Sequence, residues 1–350
     1  MTLDEFLAEW RSDSPTVMVH TSGSTGAPKP MLVEKRRMEA SARITCDFLG
    51  LRQGDTALLC LPLDYIAGKM MVVRALTCGL RLVTTTPCSK PSWEGHVDFA
   101  AMVPMQVYNL MQTEQGRQRL MAINHLIIGG GAVDHSMAEA LKGFPHAVWS
   151  TYGMTETLSH IALRRLSGPE ASGWYMPFRG VTLSQAPDGC LVIDAPAVHD
   201  GPLVTNDIVE FQPQQPSSGT VQLQPQQLGG AITRSIPFRV LGRKDNIICS
   251  GGIKIQMEEV ERLLHPHLRV PYIITKCHDE KFGEAVVLLT EGTVAEATAV
   301  CQRILPRYWQ PRHYLHVVRI PLTATGKPAR HEAELLAVKA IHSPLQSERG

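Results

Sequence analysis

Short apolar runs alternate with helix-like segments through the first two-thirds of the chain. The runs have the length and composition of buried strands, and they lie at residues 17–20, 57–63, 80–86, 96–104, 125–131 and 146–153. Strands separated by helices form βαβ units and a largely parallel sheet. We therefore expect an α/β fold in which ligands bind at the carboxyl ends of the strands.

The pattern changes near residue 181. Short β-like pieces follow, and the stretch 212–230 is rich in Gln, Pro and Gly, which is typical of an exposed hairpin or loop. A compact series of strand and helix patterns comes after residue 246. The sequence predicts a large N-terminal α/β domain with a mostly parallel sheet at 1–244, and a small α+β domain at 245–350.

Composition excludes several classes of protein. The net charge of +1 over 350 residues is too small to attract nucleic acid or an anionic membrane. The eight cysteines include no CxxC pair, and no run approaches the roughly 18 apolar residues of a membrane-spanning helix. The polar N-terminus has no apolar signal segment. We expect a cytoplasmic protein that binds neither nucleic acid nor membrane.

The segment TSGSTGAPKP at 21–30 points to phosphate binding. Its Gly, Ser and Thr residues let the backbone direct N–H and hydroxyl groups at an anion, and Lys29 adds a positive charge. It is predicted to lie between a strand and a helix that begins near Glu34, and it is not a Walker A motif. A flexible linker is the alternative. The candidate phosphate ligands are Thr21, Ser22, Gly23, Ser24, Thr25, Gly26 and Lys29.

This segment resembles the phosphate loop of the acyl-adenylate-forming superfamily, which includes acyl-CoA synthetases, adenylation domains and luciferases. Further segments resemble the other motifs of that superfamily in the same order along the chain. They are STYGMTET at 150–157, VTNDIVE at 204–210, GRKDNIICSGGIKIQMEEVE at 242–261 and PLTATGKPAR at 321–330. The resemblance implies that ATP and a carboxylic acid form an acyl adenylate, with Mg²⁺ bound, and that coenzyme A then accepts the acyl group.

The resemblance assigns the nucleotide-binding residues of the first domain. Thr155 would donate its hydroxyl to the α-phosphate, and Glu156 would hold Mg²⁺. Tyr152 would pack against adenine, with Gly153 next to it in the same motif. A solvated carboxylate at a helix start is the alternative for Glu156.

Two other predicted nucleotide contacts and the catalytic cation come from later motifs. Asp207 would accept hydrogen bonds from the ribose hydroxyls, although Asn206 stands where the family usually has Gly. Arg243 would add a contact to ribose or phosphate, and a surface salt bridge is its alternative. Lys327 would bridge the carboxylate and the α-phosphate as charge develops.

The resemblance also implies a rotation of the small domain between the two half-reactions. Asp245 occupies the hinge position of the motif. Gly251 and Gly252 would line the passage for the pantetheine arm, because glycine permits close approach. An ordinary turn is the alternative for both glycines.

Three segments narrow the resemblance, namely LPLDYIAGKMMVVRAL at 61–76, STYGMTETLSHIALR at 150–164 and SGGIKIQMEEVE at 250–261. Within the superfamily they are most similar to the o-succinylbenzoate–CoA ligases of menaquinone biosynthesis. That acid needs an apolar slot and a cation for the carboxylate that does not react. Arg74 is the first candidate for this cation and Lys69 the second, with charges on an exposed helix face as the alternative. The residues predicted to line the acyl site are Tyr65, Lys69, Arg74, Gly130, Gly131, Ser159 and His160.

Other functions remain open at this stage. The acid could be another aromatic or aliphatic one, or the acyl group could pass to a carrier protein. A non-catalytic adenylate-binding regulator is disfavoured because Glu156, Asp207 and Lys327 are all present. The phosphate loop begins earlier than in the family, so the N-terminal domain is expected to be truncated. Either a homodimer partner covers the exposed flank, or the pocket is more open.

Overall fold

The computed structural model describes residues 1–20, 30–213, 236–323 and 328–342. The chain divides into two compact units. The first comprises Met1–Thr205 and Glu210–Arg239, and the second comprises Asn206–Val209 and Val240–Gly350. None of the helices in these described ranges has the length and hydropathy needed to cross a membrane.

Helix α1 (Leu3–Arg11) opens the first unit. It begins with a capping box, in which Thr2 Oγ1 accepts from Glu5 N at 3.2 Å and Glu5 Oε2 accepts from Thr2 N at 2.7 Å. These two bonds satisfy N–H groups that the first turn of a helix leaves unpaired. Phe6 is the side chain that α1 buries.

A β-hairpin follows α1. Strand β1 (Thr16–His20) pairs antiparallel with β2 (Pro30–Glu34), with Val17 opposite Val33. Segment 21–29 therefore connects two strands, and the prediction that it lies between a strand and a helix is wrong. The apolar residues of β2 are too few to reveal a strand by periodicity, but β1 supplies their hydrogen-bonding partner. Helix α2 (Lys35–Leu49) begins only after β2.

The main sheet of the first unit has seven strands in the order β4-β3-β5-β6-β7-β8-β9. Strands β4, β3, β5, β6 and β7 are parallel, and β8 and β9 add antiparallel to one edge. The bounds are β3 (Thr56–Leu59), β4 (Arg81–Thr84), β5 (Val97–Met102), β6 (Ile123–Ile128), β7 (Ala147–Gly153), β8 (His160–Arg165) and β9 (Met176–Pro177). The predicted parallel α/β arrangement is confirmed.

Helices connect these strands and cover them. They are α3 (Ile66–Cys78), α4 (Pro104–Met111), α5 (Glu114–Met121) and α6 (His135–Leu141). Helices α2 and α3 both end at a glycine in the left-handed conformation, Gly50 and Gly79, where a Cβ atom would be strained. Leu58, Leu126 and Val148 from neighbouring strands pack with Leu110 and Leu120 of the helices in one core cluster. This cluster therefore covers one face of the sheet, as expected for parallel strands.

A second sheet has four strands in the order β10-β11-β12-β13. The strands are β10 (Thr182–Gln185), β11 (Cys190–Asp194), β12 (Leu203–Phe211) and β13 (Phe238–Arg243). Strands β10 and β11 form an antiparallel hairpin with Leu183 opposite Ile193.

The second unit is α+β. Its sheet has the order β15-β14-β17-β16, and β18 pairs parallel with β17. One face packs against α7 and α8, and the other packs against α9. The elements are β14 (Ile247–Ser250), β15 (Ile253–Gln256), α7 (Met257–Leu264), β16 (Tyr272–Asp279), β17 (Gly283–Thr290), α8 (Val294–Ile304), β18 (His313–His316) and α9 (Arg330–His342). The predicted fold class is confirmed here as well.

Candidate active site

A glycine-rich loop, residues 129–131, follows the parallel strand β6 at its carboxyl end. Strands β6 and β7 are paired, so the loop 129–131 runs beside the end of β7. A Cβ atom on Gly129 would lie 2.5 Å from Thr151 Oγ1, and Gly130 has a φ of +75°. Glycine is needed for this close path. Gly130 and Gly131 are thus placed at the edge where ligands bind to such sheets.

The turn between β7 and β8, residues 153–159, has a constrained backbone. Leu158 has a φ of +63°, and it is the one positive-φ residue other than glycine in the described part of the chain. Thr157 Oγ1 holds the turn through a hydrogen bond of 2.8 Å to Ser159 O. A Cβ atom on Gly153 would lie 2.3 Å from the same Ser159 oxygen. Such strain is concentrated at functional sites and indicates one here.

Thr155 and Glu156 lie within this turn with half-buried side chains. The segment is not helical, so the alternative of a carboxylate at a helix start is wrong for Glu156. No group of three or more His, Cys, Asp or Glu residues able to hold a metal occurs in the described ranges. A single carboxylate beside a hydroxyl instead suits Mg²⁺ that is bound mainly through phosphate and water oxygens.

Tyr152 belongs to an aromatic cluster. Its ring centroid lies 5.8 Å from that of Tyr175 and 5.1 Å from that of Phe238, the latter edge-on at 82°. Tyr175 is held by its hydroxyl, which is 2.8 Å from Ser150 Oγ. These contacts orient the Tyr152 ring, which the sequence predicts to pack against adenine.

Arg74 of α3 is buried, with 2% of its surface exposed. Its Nη2 donates to Ser159 Oγ at 2.6 Å, and its guanidinium carbon lies 5.9 Å from the Phe99 ring centre. Burial lowers the pKa of Arg74 to about 10, so the charge is kept at neutral pH. Its Nε has no hydrogen-bond partner among the described residues. No carboxylate there pairs with it either.

A chain of hydrogen bonds continues from Ser159. Ser159 Oγ lies 3.2 Å from His160 Nδ1, and His160 Nε2 lies 3.2 Å from Thr45 Oγ1. Thr45 Oγ1 in turn donates to Ser41 O at 3.1 Å. Burial, and then the Arg74 charge, hold the pKa of His160 well below its usual value, so its ring is neutral. The structure thus brings three predicted acyl-site residues, Arg74, Ser159 and His160, into direct contact.

Lys69 lies in a different environment on the same helix. Its Nζ donates to Met18 O and lies 3.8 Å from Glu9 Oε2 and 5.5 Å from the Phe6 ring centre. Burial lowers the pKa of Lys69, and Glu9 opposes that shift. Both cations of α3 are buried, so the alternative of an exposed charged face is wrong for both. Tyr65, directly before α3, is 38% exposed.

In the second unit, the predicted hinge residue Asp245 is bound by two side chains. Asn206 Nδ2 donates to Asp245 Oδ2 at 3.1 Å, and Arg243 Nη2 donates to the same oxygen at 3.3 Å. The surface salt bridge considered for Arg243 is therefore formed. Asp207, beside Asn206 on β12, has a half-buried side chain.

Gly251 and Gly252 form the two-residue turn of the β14–β15 hairpin, because Ser250 is paired with Ile253. Their φ angles of +58° and +83° match the turn type that such hairpins favour. A Cβ atom on Gly251 would also lie 2.9 Å from Phe282 Cδ1. The ordinary-turn alternative therefore explains both glycines without a ligand, and their contact with pantetheine stays a prediction.

Several predicted residues lie outside the described ranges. They are Thr21, Ser22, Gly23, Ser24, Thr25, Gly26, Lys29 and Lys327. The residues that flank 324–327 are described. Leu322 bridges to Pro328, and Ala329 N donates to Pro321 O at 2.9 Å. Arg330 follows, with its Nη1 3.0 Å from Glu261 Oε1 and its Nη2 2.7 Å from Glu261 Oε2.

Comparison with known protein families agrees with this arrangement. The family model described as AMP-binding enzyme matches residues 4–192, more than half of the chain. The chain belongs to this family. As an AMP-binding enzyme it is a ligase of the AMP-forming class.

Individual relatives point the same way. A 2-succinylbenzoate–CoA ligase of Bacillus cereus is 26% identical over 350 residues, which cover 94% of this chain and 71% of that protein. An AMP-forming acyl-CoA synthetase-like protein of Dyadobacter fermentans is 30% identical, with a TM-score of 0.60 and coverage of 94% of this chain and 92% of that one. The o-succinylbenzoate coenzyme A synthetase of Bacillus subtilis, solved with ATP and magnesium, has a TM-score of 0.70 at 21% identity over 90% of this chain and 69% of that one.

Sequence reasoning missed three residues of this AMP-binding enzyme that support the candidate site. Thr157 holds the 153–159 turn, and Thr45 continues the series of hydrogen bonds that starts at Arg74. Arg330, three residues after Lys327, is paired with Glu261. Thr157 and Arg330 are inside quoted motifs, so their positions were available as a signal. Thr45 lies in an amphipathic helix far from any motif, and only packing reveals it.

Proposed function

We propose that this chain is an acid–CoA ligase that acts on an aromatic dicarboxylic acid of the o-succinylbenzoate type. The observation that carries the proposal is Arg74, a buried cation with no carboxylate partner among the described residues, bonded to Ser159 in the 153–159 turn. The 2-succinylbenzoate–CoA ligase relative supports the same acid.

An unpaired buried charge is costly. Removing an ion from water costs several kcal/mol even after relaxation, and buried charges are normally paired. Arg74 instead contacts a hydroxyl, a methionine sulfur at 3.9 Å and an aromatic ring. A second carboxylate on the acid would supply the missing negative charge. Among the hydrogen-bonded residues Arg74, Ser159, His160 and Thr45, Ser159 is half-buried and is the one that a ligand can reach.

The chemistry divides into two displacements. In the first, a carboxylate oxygen of the acid bonds to the α-phosphorus of ATP and pyrophosphate leaves. In the second, the sulfur of coenzyme A bonds to the acyl carbon and AMP leaves with the electrons of the broken C–O bond. Both steps bring anions together, so the residues present must neutralise charge and align the reactants.

The residue roles follow this need. Lys327 would stabilise charge between the carboxylate and the α-phosphate, and Thr155 would donate to the α-phosphate. The segment 21–29 would hold the departing phosphates. Glu156 would contribute one ligand to Mg²⁺, which neutralises phosphate charge when bound. Tyr152 would pack on adenine, and Asp207 and Arg243 would bind the ribose.

The second half-reaction requires a different set of groups at the acyl carbon. We propose that residues 245–350 rotate as a domain about Asp245, with Gly251 and Gly252 beside the pantetheine arm. Asn206 and Arg243 both bind Asp245, so breaking these two hydrogen bonds would be part of the rotation. Both bonds are exposed and therefore inexpensive to break.

Pyrophosphate release with Mg-ATP tests the proposal. The acids are o-succinylbenzoate, 4-oxo-4-phenylbutanoate, 2-acetylbenzoate and a medium-chain fatty acid, each with and without coenzyme A. We expect turnover with o-succinylbenzoate that coenzyme A increases and that Lys327→Ala abolishes. Preference for a fatty acid would overturn the choice of acid. Turnover that needs a carrier protein instead of coenzyme A would overturn the acceptor.

A further inference from the structure

Thr45, His160 and Ser159 form a hydrogen-bonded chain that the proposed reaction does not itself require. Its members come from three places in the first unit: Thr45 from α2, His160 from the start of β8, and Ser159 from the 153–159 turn. Thr45 is fully buried and His160 is 8% exposed. Bulk water therefore does not compete strongly for these bonds, and each proton in the chain has few acceptors.

The groups at the two ends of this series determine which atom donates in each hydrogen bond. Arg74 can only donate, so the Ser159 oxygen accepts from it. The single hydroxyl hydrogen of Thr45 is used in its hydrogen bond to Ser41 O, so the Thr45 oxygen must accept from His160 Nε2. A neutral imidazole carries one proton, and Nδ1 is then bare. Nδ1 therefore accepts the Ser159 hydroxyl proton.

This arrangement leaves Ser159 with no proton for a ligand. If a carboxylate oxygen approached Ser159 Oγ, both oxygens would present lone pairs to each other, and no hydrogen bond could form. The opposite arrangement removes the conflict at the same heavy-atom positions. If Nδ1 carries the ring proton, it donates to Ser159, Thr45 donates to Nε2, and the Ser159 hydroxyl is free to donate to a carboxylate. Arg74 donates to Ser159 in both arrangements.

We propose that His160 is a ligand-linked tautomeric switch, with its proton on Nε2 in the empty protein and on Nδ1 when a carboxylate of the acid binds at Ser159. The ring loses one proton to water at Nε2 and gains one from water at Nδ1, so its charge is unchanged. His160 and Ser41 border a cavity of about 160 Å³, which gives water a place beside the ring. Thr45 is a positioning residue, because it acts on Ser159 only through the ring.

The ligand in this inference rests on the proposed function, whereas the tautomer of the empty protein does not. The switch would give specificity for a dicarboxylate. An acid without the second carboxylate leaves Ser159 donating to His160, and it gains nothing from Arg74. An acid with that group accepts a hydrogen bond from the Ser159 hydroxyl, and the nearby positive charge of Arg74 attracts its carboxylate.

Long-range ¹H–¹⁵N spectra of protein labelled with ¹⁵N-histidine test the switch, because protonated and bare ring nitrogens have well-separated shifts. The His160 signals are identified by their loss in His160→Gln. We expect protonated Nε2 in the empty protein and protonated Nδ1 with saturating o-succinylbenzoate. A proton on Nδ1 already in the empty protein, or no change with o-succinylbenzoate, would overturn the proposal.

Two analogues with one carboxylate each are matched controls. They are 4-oxo-4-phenylbutanoate and 2-butanoylbenzoate, and at most one can place its carboxylate at Ser159 while sharing the pose of o-succinylbenzoate. We expect one of them to move the ring proton and the other to leave it on Nε2. The analogue that moves it should be the one that is not adenylated. A shift with both analogues would contradict a specific site at Ser159.

Variants of Thr45 separate positioning from simple packing. Thr45→Val keeps the shape but removes the hydroxyl, so the ring should take one tautomer with or without ligand. Thr45→Ser restores the hydroxyl and should restore the change. If Thr45→Val still switches, Thr45 does not position the ring. Turnover of o-succinylbenzoate without any tautomer change would support the ligase function and contradict the switch. Absence of both turnover and tautomer change would contradict both proposals.

Discussion

Helix α3 carries two buried cations, and the groups around them differ. Lys69 lies near Glu9 and a backbone carbonyl, so its charge is balanced within the chain. Arg74 contacts Ser159, Met71 and the Phe99 ring, and it has no carboxylate partner among the described residues. The Cys46 and Cys78 thiols also lie within reach of its charge. Both positions are buried to the same extent, at 2% exposure. The difference supports the proposal that Arg74 binds a negative charge supplied by a ligand, whereas Lys69 stabilises the fold.

The largest expected effect is that of Arg74→Met. We expect kcat/KM for o-succinylbenzoate to fall by about 100-fold, since a hydrogen bond to a charged group contributes about 1.5–3 kcal/mol. Thermal stability should be unchanged or higher, because an apolar side chain replaces an unpaired buried charge. Steady-state kinetics and thermal unfolding measure the two quantities. A loss of stability that matches the loss of activity would make Arg74 structural, as Lys69 is.

Arg330 extends the comparison to the second unit, where it forms a two-point ion pair with Glu261 and donates to Ile274 O at 3.0 Å. Arg330→Met leaves Glu261 without its cation, so the free energy of unfolding should fall by about 2–3 kcal/mol. Urea unfolding measures this. Arg330→Lys keeps one contact and should recover part of the loss. An unchanged unfolding curve for Arg330→Met would show that a paired, half-buried cation need not stabilise this protein.

Lys69→Met should lower the free energy of unfolding by about 1–2 kcal/mol, because Glu9 loses its cation while Glu9 Oε2 stays buried. The double variant Lys69→Met with Glu9→Gln removes both charges and should recover most of that loss. Activity of the folded protein should stay near normal in both. Loss of o-succinylbenzoate turnover in Lys69→Met alone would blur the distinction between the two cations.

The neutral His160 ring predicts a smaller effect that depends on pH. Because its pKa is held low by burial and by Arg74, the folded state binds no proton there, whereas the unfolded state binds one below about pH 6.5. Stability should therefore fall as the pH drops below about 6.5, by at most about 1.4 kcal/mol per pH unit. His160→Gln should flatten this slope. His135→Gln, at an exposed position on α6, is the matched control and should keep the slope.

Much of the fold follows from local patterns in the sequence. The apolar runs that form β3 to β7 are continuous, and helical segments separate most of them, so the pattern alone predicts a parallel sheet. Strand β2 was not predicted, because it has few apolar residues and α2 begins directly after it. Its existence depends on pairing with β1 across segment 21–29, and a single-strand pattern does not contain such a long-range partner.

In the candidate site, too, some residues could be predicted from the sequence, whereas others are revealed only by packing. The family resemblance predicted Tyr152, Thr155 and Glu156 because all three lie in one short segment that matches a motif. They could not show that Leu158 is left-handed or that Thr45 faces His160, because both facts come from packing. The sequence did suggest Arg74, yet it left open an exposed helix face, and only burial distinguishes that surface charge from a cation held inside the protein.

We propose that Arg74, through its hydrogen bond to Ser159, recognises the second carboxylate of the acid. Binding of o-succinylbenzoate and of its two single-carboxylate analogues to wild type and to Arg74→Met, measured by calorimetry, tests it most directly as a double cycle. We expect wild type to prefer the dicarboxylate over the analogue lacking the non-reacting carboxylate by about 100-fold, and Arg74→Met to lose this preference. An equal preference in both proteins would contradict this role of Arg74.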